Sequence, residues 1–147
     1  MKNFQILAIT DAGITAITAN DLDASHAYKV VKFKRAISKA VSAIADAERS
    51  LLKEVKVEDI DAFNKERKEL KESGKNAKRL EEMDKTLSRF NELKTALYNE
   101  EADLSEVKAI PFEQFHILQR ENREIPGKPL NIFEEVLEGV LWSAPEE

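Results

Sequence analysis

Apolar side chains recur every three or four residues over a long stretch of the chain that begins after residue 25. They are Phe33, Ile37, Ala40, Ile44, Ala47 and Leu51. This spacing places them along one face of a helix, and the polar residues 20–25 before them are typical of a helix N-terminus. We therefore predict a helix over residues 25–55. At 1.5 Å per residue it would be about 45 Å long, which predicts an elongated molecule.

A second apolar series follows a seven-residue rhythm and predicts another long helix over residues 76–101. Its members are Leu80, Met83, Leu87, Phe90 and Leu97. The segment Ser73–Asn76, which contains Gly74, predicts a turn before this helix. We expect the two long helices to pack as an antiparallel hairpin in which each covers the apolar stripe of the other. The charged residues 56–75 between them would form a tip or a connector.

The N-terminal segment has a different pattern. Phe4, Ile6 and Ala8 occupy alternate positions, which predicts a short strand within residues 3–10. Residues 104–110 are extended by composition, and we expect them to pair with residues 4–8 as a two-stranded β element. Residues 11–19 fit either a helical turn, which we favour, or a hairpin that turns at residues 11–13.

The C-terminal third of the chain predicts two shorter helices. Pro111 stops any preceding helix and favours a new one at its own position. Asn131, followed by Glu134 three residues later, is typical of a helix N-cap and predicts a helix over residues 131–142. The predicted fold is therefore mainly α, with an elongated long-helix hairpin, a short two-stranded β element and a C-terminal helix. We expect a single domain over residues 1–147.

Composition excludes several classes of chemistry. The 147 residues include no cysteine, so disulfides, cysteine-ligated zinc and thiol catalysis are absent. The four glycines are scattered singly and provide no phosphate-binding loop. No apolar run approaches the roughly 20 residues of a membrane span, and residues 1–20 lack a signal pattern. We expect a cytoplasmic protein that does not contact a membrane.

Titratable residues provide no recognisable catalytic or metal site. His26 and His116 are far apart in sequence, and neither has a second histidine at ligand spacing. The acidic clusters at residues 58–61 and 100–103 are more typical of solvated helix ends than of cation sites. We expect no catalytic residue, no cofactor and no metal, and therefore no enzyme.

Basic residues are concentrated at the start of the first long helix. They are Lys29, Lys32, Lys34, Arg35 and Lys39. Three of them, Lys32, Arg35 and Lys39, share one helical face and could contact a few phosphates. The net charge of −5 and the lack of a helix-turn-helix or aromatic-basic pattern argue against nucleic acid as a partner. We predict a solvated face whose aliphatic stems flank the apolar stripe.

Aromatic side chains are concentrated outside the long helices. The candidate interaction surface consists of Phe112, Phe115, Phe133 and Trp142. These four residues either close one end of the hairpin as core or form an exposed docking patch. Trp142, near the C-terminus, is the residue we most expect to contact another chain.

One set of short motifs is similar to a known class of proteins. Residues 89–93, Leu97, the pair Glu100-Glu101, residues 110–112 and residues 27–30 resemble small accessory and structural proteins encoded by tailed bacteriophages and prophages. The resemblance implies a non-enzymatic protein–protein interaction or virion-assembly component, present in the host cytoplasm and incorporated into a virion. Its partners would be other proteins or further copies of itself. The alternative is a small acidic regulator that binds or mimics nucleic acid.

Overall fold

Helices dominate the computed structural model, which describes residues 1–146. The seven helices of these residues are α1 (Asn3–Asp11), α2 (Ala24–Glu54), α3 (Ile60–Ser73), α4 (Ala77–Asn99), α5 (Phe112–Glu121), α6 (Pro129–Ile132) and α7 (Glu134–Leu137). A 3-10 turn, Ile14–Ala16, follows α1. The mainly α fold class is confirmed. None of these helices combines the length and the hydropathy needed to cross a bilayer.

The chain divides into two compact units. The first comprises Met1–Ser42 and the chain from Glu100 onward, and the second comprises Ala43–Asn99. Helix α2 therefore contributes its residues 24–42 to the first unit and its residues 43–54 to the second.

The strand predicted for residues 4–8 is wrong, because this segment belongs to helix α1. The side chain of Gln5 accepts a hydrogen bond from the Lys2 backbone N–H at 2.8 Å and so caps the first turn. Ile6 and Ile9, three residues apart, are fully buried on one face of α1, whereas Phe4 is 46% exposed. The core is thus built on a helical spacing that the alternation of Phe4, Ile6 and Ala8 concealed.

The two-stranded β element is also wrong, because residues 1–146 contain no strand and only isolated bridges. The Ile110 backbone N–H donates to the carbonyl of Leu141 at 2.9 Å, and the Ser143 N–H donates to the carbonyl of Ile110 at 2.9 Å. The extended segment that ends at Ile110 thus pairs at one residue with the chain around Trp142 rather than with residues 4–8. Residues 11–19 form no hairpin: Gly13 ends α1 with a φ of 97°, and a single 3-10 turn follows.

The continuous helix predicted for residues 131–142 is wrong as well. Pro129 starts α6 two residues before Asn131, which lies inside that helix rather than capping it. Phe133 separates α6 from α7, and Gly139 has a φ of 80°, so the chain turns after α7 instead of continuing as a helix. The turn brings Leu141 and Trp142 into the core. Helix α5 does begin at Phe112 after Pro111, as predicted.

The second unit contains the end of α2 together with α3 and α4. The Tyr98 hydroxyl donates to the Glu48 carboxylate, and Arg89 pairs with Glu54 at 3.8 Å. From the first contact to the second, the residue number rises on α2, from 48 to 54, and falls on α4, from 98 to 89. The two helices are therefore antiparallel within this unit. Residues 60–73, predicted as part of a tip or a connector, form α3. The αL residue Gly74 ends α3, and α4 begins three residues later.

Candidate interaction surface

The first half of α2 has an unusual charge distribution. Residues 24–45 contain five of the 23 Lys and Arg residues and none of the 28 Asp and Glu residues of the chain. The five cations belong to the first unit. Arg35 and Lys39 are exposed, and Lys29, Lys32 and Lys34 are half-buried. A chain with a net charge of −5 therefore has a concentrated positive surface on one half-helix.

Helix geometry determines which side chains this surface presents. Val30, Phe33 and Ile37 are buried and fix the core side of α2. At 3.6 residues per turn, the opposite side is formed by five residues that we call the basic face. They are Tyr28, Val31, Lys32, Arg35 and Lys39. Tyr28 is 55% exposed and Val31 is 39% exposed, so an aromatic and an aliphatic side chain lie among the three cations.

A shallow groove of about 460 Å³ lies beside the basic face. Thr15 of the 3-10 turn forms one wall, and residues of α2 that include Val31, Arg35 and Lys39 form the other. The aliphatic stems of Arg and Lys provide apolar contact area while their charged ends stay in solvent. The groove therefore has a partly apolar lining with cationic groups at its rim.

Most of the positive charge on this face is not neutralised within the described residues. Lys34, on the flank of the face, donates to the backbone carbonyl of Ile17 at 2.7 Å and so attaches the 3-10 segment to α2. Lys32 lies over the ring of Tyr28, 5.0 Å from its centroid. Lys39 has one ion pair, with Glu106 at 4.0 Å, and an exposed pair of this length contributes little. Arg35 has no ion pair among residues 1–146.

A polar cluster holds the segment that precedes α2. The Asn122 side chain, at the end of α5, accepts from the Thr18 N–H at 2.7 Å and donates to the carbonyls of Thr18 at 2.7 Å and Leu118 at 2.8 Å. The carboxylate of Glu121 accepts from the backbone N–H groups of Asn20 and Asp21. These bonds fix residues 18–21 against α5 and thereby position the start of α2.

The aromatic residues predicted as an interaction surface separate into two groups. Phe115 and Trp142 are buried and stack on each other with ring centroids 3.6 Å apart. Phe112 and Phe133 are half-buried. Trp142, the residue we most expected at an interface, thus lies in the core of the first unit, and only Phe112 and Phe133 of this set have surface to offer a partner. The docking role of the set stays a prediction.

The sequence analysis did not identify Tyr28 and Val31 as surface residues. Tyr28 and Val31 are exposed because Val30, Phe33 and Ile37 turn the other side of α2 to the core. A signal for them did exist: the absence of acidic residues over 24–45 marks the stretch, and helical spacing places Tyr28 and Val31 with Arg35.

The acidic clusters and His116 have local partners. Asp59 caps α3 by accepting from the N–H groups of Asp61 and Ala62. The N-terminal ammonium pairs with Glu101 at 2.8 Å, and this hydrogen bond lowers the pKa of that carboxyl. His116 packs edge-on against Phe112, at 4.7 Å between ring centroids. Over residues 1–146, no group of three His, Asp or Glu side chains is arranged to hold a metal ion.

Comparison of the chain with protein-family models, with curated proteins and with solved structures finds no match. The surface is therefore defined by its own geometry and charge. What the residues define is a mainly helical protein with a cationic, partly apolar face on α2.

Proposed function

We propose that this chain is a non-enzymatic protein–protein interaction component, and that it acts in the assembly or structure of a phage or prophage virion. It would be made in the host cytoplasm and incorporated into the particle. The single observation on which the proposal rests is the basic face, where Tyr28 and Val31 are exposed among Lys32, Arg35 and Lys39. The virion setting rests on the sequence resemblance.

The composition of the basic face supports a protein partner. Tyrosine and arginine are enriched at protein interfaces, because each combines a large contact area with a polar group. Tyr28 and Arg35 supply this pair on one helical face, and Val31 lines the groove beside them. The unneutralised cations favour a partner surface that is acidic.

The second candidate function is nucleic-acid binding, and the row of Lys32, Arg35 and Lys39 favours it. These residues span about 10 Å along the helix axis, enough for roughly two backbone phosphates. A single aromatic side chain is little for stacking bases. Mimicry of nucleic acid has less support, because carboxylates of the second unit alternate with arginines and pair with them, as in the Arg67–Asp84 contact at 2.6 Å.

A comparative capture experiment tests the proposed function. The full chain, the charge-reversed variant K32E/R35E/K39E and the control K65E/K68E/K75E are immobilised and exposed to nuclease-treated extract of cells that produce the protein. The control reverses three exposed cations of the second unit and so matches the charge change. Circular dichroism verifies that all three are folded.

We expect the full chain and the control to retain the same proteins, and the K32E/R35E/K39E variant to lose them. Retention that is unaffected by reversal of the basic face would contradict the proposed function. If proteins are retained only when nuclease is omitted, the basic face binds nucleic acid rather than protein.

A further inference from the structure

The first unit presents a second surface with the opposite charge. Ile132 is 64% exposed, the highest exposure among the large hydrophobic side chains described. Glu134, Glu135 and Glu138 are exposed close to it in the chain. We call these four residues the acidic patch. Among the ion pairs of residues 1–146, none involves the three carboxylates of the patch.

Packing explains why this patch faces solvent. Leu130 of α6 and Leu137 of α7 are buried and anchor both short helices to the core. Ile132 and the three glutamates are exposed on the same segment and point away from that core. Most of the Ile132 side chain is not covered by its own unit, so its burial is available to a partner.

The basic face and the acidic patch have complementary compositions. One has three cations around Tyr28 and Val31, and the other has three carboxylates beside Ile132. Both belong to the first unit. No ion pair joins the two surfaces within the described part of the chain. The chain therefore contains both halves of a complementary contact that it does not make with itself.

We propose that the basic face binds the acidic patch of a second copy of this chain. The proposal rests on the proposed function and names its partner. Because the two contacting surfaces differ, the contact is heterologous: each copy uses its basic face towards one neighbour and its acidic patch towards another. Such a contact propagates into a ring if the rotation between copies closes, and into a filament if it does not.

Three exposed ion pairs around a small apolar centre make a weak, salt-sensitive contact. At about 1 M salt the Debye length falls to about 3 Å, and attraction between exposed charges is screened. Self-association should therefore be strongest at low ionic strength and high protein concentration. A purely apolar interface would show the opposite salt dependence.

Sedimentation velocity of charge-swapped variants tests the contact. The variants are the face-reversed K32E/R35E/K39E and the patch-reversed E134K/E135K/E138K, each measured alone and in an equimolar mixture at low and high salt. In the mixture, each reversed surface meets a complementary surface on the other variant. The control K65E/K68E/K75E changes charge away from both surfaces, and I132S removes the apolar centre of the patch without changing charge.

We expect the wild type and the control to associate at low salt, each swapped variant alone to remain monomeric, and the mixture to associate again. I132S should weaken the association by about tenfold, because it removes apolar area from the contact. Should the patch-reversed variant fail to fold by circular dichroism, the neutral E134Q/E135Q/E138Q replaces it and should be monomeric alone.

Two results would overturn the proposal: a wild type that is monomeric at low salt and high concentration, and a mixture that stays monomeric. A third result would assign the basic face to nucleic acid instead. In that case the protein alone is monomeric, and a single-stranded oligothymidylate shifts the wild type, but not the face-reversed variant, to a heavier species. A monomeric wild type whose captured proteins still depend on the basic face would overturn the self-contact and leave the proposed function intact.

Discussion

Asn122 should be the polar side chain whose loss most destabilises the first unit. It is 6% exposed and makes three hydrogen bonds, one from the Thr18 N–H and two to carbonyl oxygens. Each such bond contributes about 0.5–1.5 kcal/mol net, and an unpaired buried group costs about 1–3 kcal/mol. Water can reach the Thr18 groups once the side chain is truncated, so we expect Asn122→Ala to lower the free energy of unfolding by about 2–3 kcal/mol.

Two further substitutions separate hydrogen bonding from a general effect of mutation. Asn122→Asp keeps the shape and the acceptor but places a carboxylate oxygen against two carbonyls, so it should destabilise at least as much as alanine. Glu121→Ala removes bonds that are exposed to solvent. These bonds compete with water, so this loss should stay below about 1 kcal/mol.

The assay is urea unfolding followed by tryptophan fluorescence. The chain has a single tryptophan, Trp142, and it lies buried in the same unit as Asn122, so its emission reports on that unit. Equal destabilisation by Asn122→Ala and Glu121→Ala, or a near-wild-type Asn122→Asp, would refute the reasoning.

Three further predictions test the packing. Burial and the hydrogen bond to a carboxylate raise the pKa of Tyr98 to about 12, so the folded state favours the protonated phenol. This preference stabilises the folded protein below about pH 10, and the stabilisation is lost as the pH rises towards 12. Urea midpoints of Tyr98→Phe should lack this alkaline loss, and an unchanged pH profile would contradict the assignment. Trp142→Phe keeps a ring against the core and removes an indole N–H that has no hydrogen-bond partner among residues 1–146, so it should cost clearly less than the about 3–5 kcal/mol expected for Trp142→Ala. Equal losses in urea unfolding followed by circular dichroism would argue against the buried stack. Gly127 and Gly74 both have positive φ, but a Cβ on Gly127 would lie 3.1 Å from the backbone oxygen of Ala12, whereas a Cβ on Gly74 would have no atom of the described residues within 4 Å. Gly127→Ala should therefore lower the thermal midpoint clearly more than Gly74→Ala. The reverse order would be inconsistent with this close approach.

The long helices could be predicted because their signal is local and repeated. The predicted ranges 25–55 and 76–101 agree with α2 and α4 to within two residues at each end. Many apolar residues at helical spacing outweigh any single position, and polar segments mark both starts. The turn at Gly74 and the helix start after Pro111 follow from equally local backbone preferences.

Helix α1 and the segment after Phe133 could not be predicted, because tertiary contacts decide them. Residues 4–8 satisfy both an alternating and a helical pattern, and the burial of Ile6 and Ile9 together selects the helix. Near the C-terminus, the bonds of Ile110 with Leu141 and Ser143 hold the chain extended where the apolar pattern predicted a helix. Ile110 is distant from Leu141 and Ser143 in the sequence.

The candidate surface was partly visible in the sequence. The run of cations without acidic residues marks the first half of α2, but exposure of Tyr28 and Val31 depends on which side of that helix packs against the core. The acidic patch depends on the burial of Leu130 and Leu137, which leaves Ile132 in solvent.

Zero-length carbodiimide crosslinking tests the central claim most directly. An equimolar mixture of unlabelled and uniformly ¹⁵N-labelled protein is crosslinked at low salt, digested and analysed by mass spectrometry, so that bonds between two copies are recognised by their mixed isotopic composition. We predict mixed-isotope crosslinks that join Lys32 or Lys39 to Glu134, Glu135 or Glu138, and their loss at high salt. Mixed-isotope crosslinks that avoid these residues, or none at all, would contradict it.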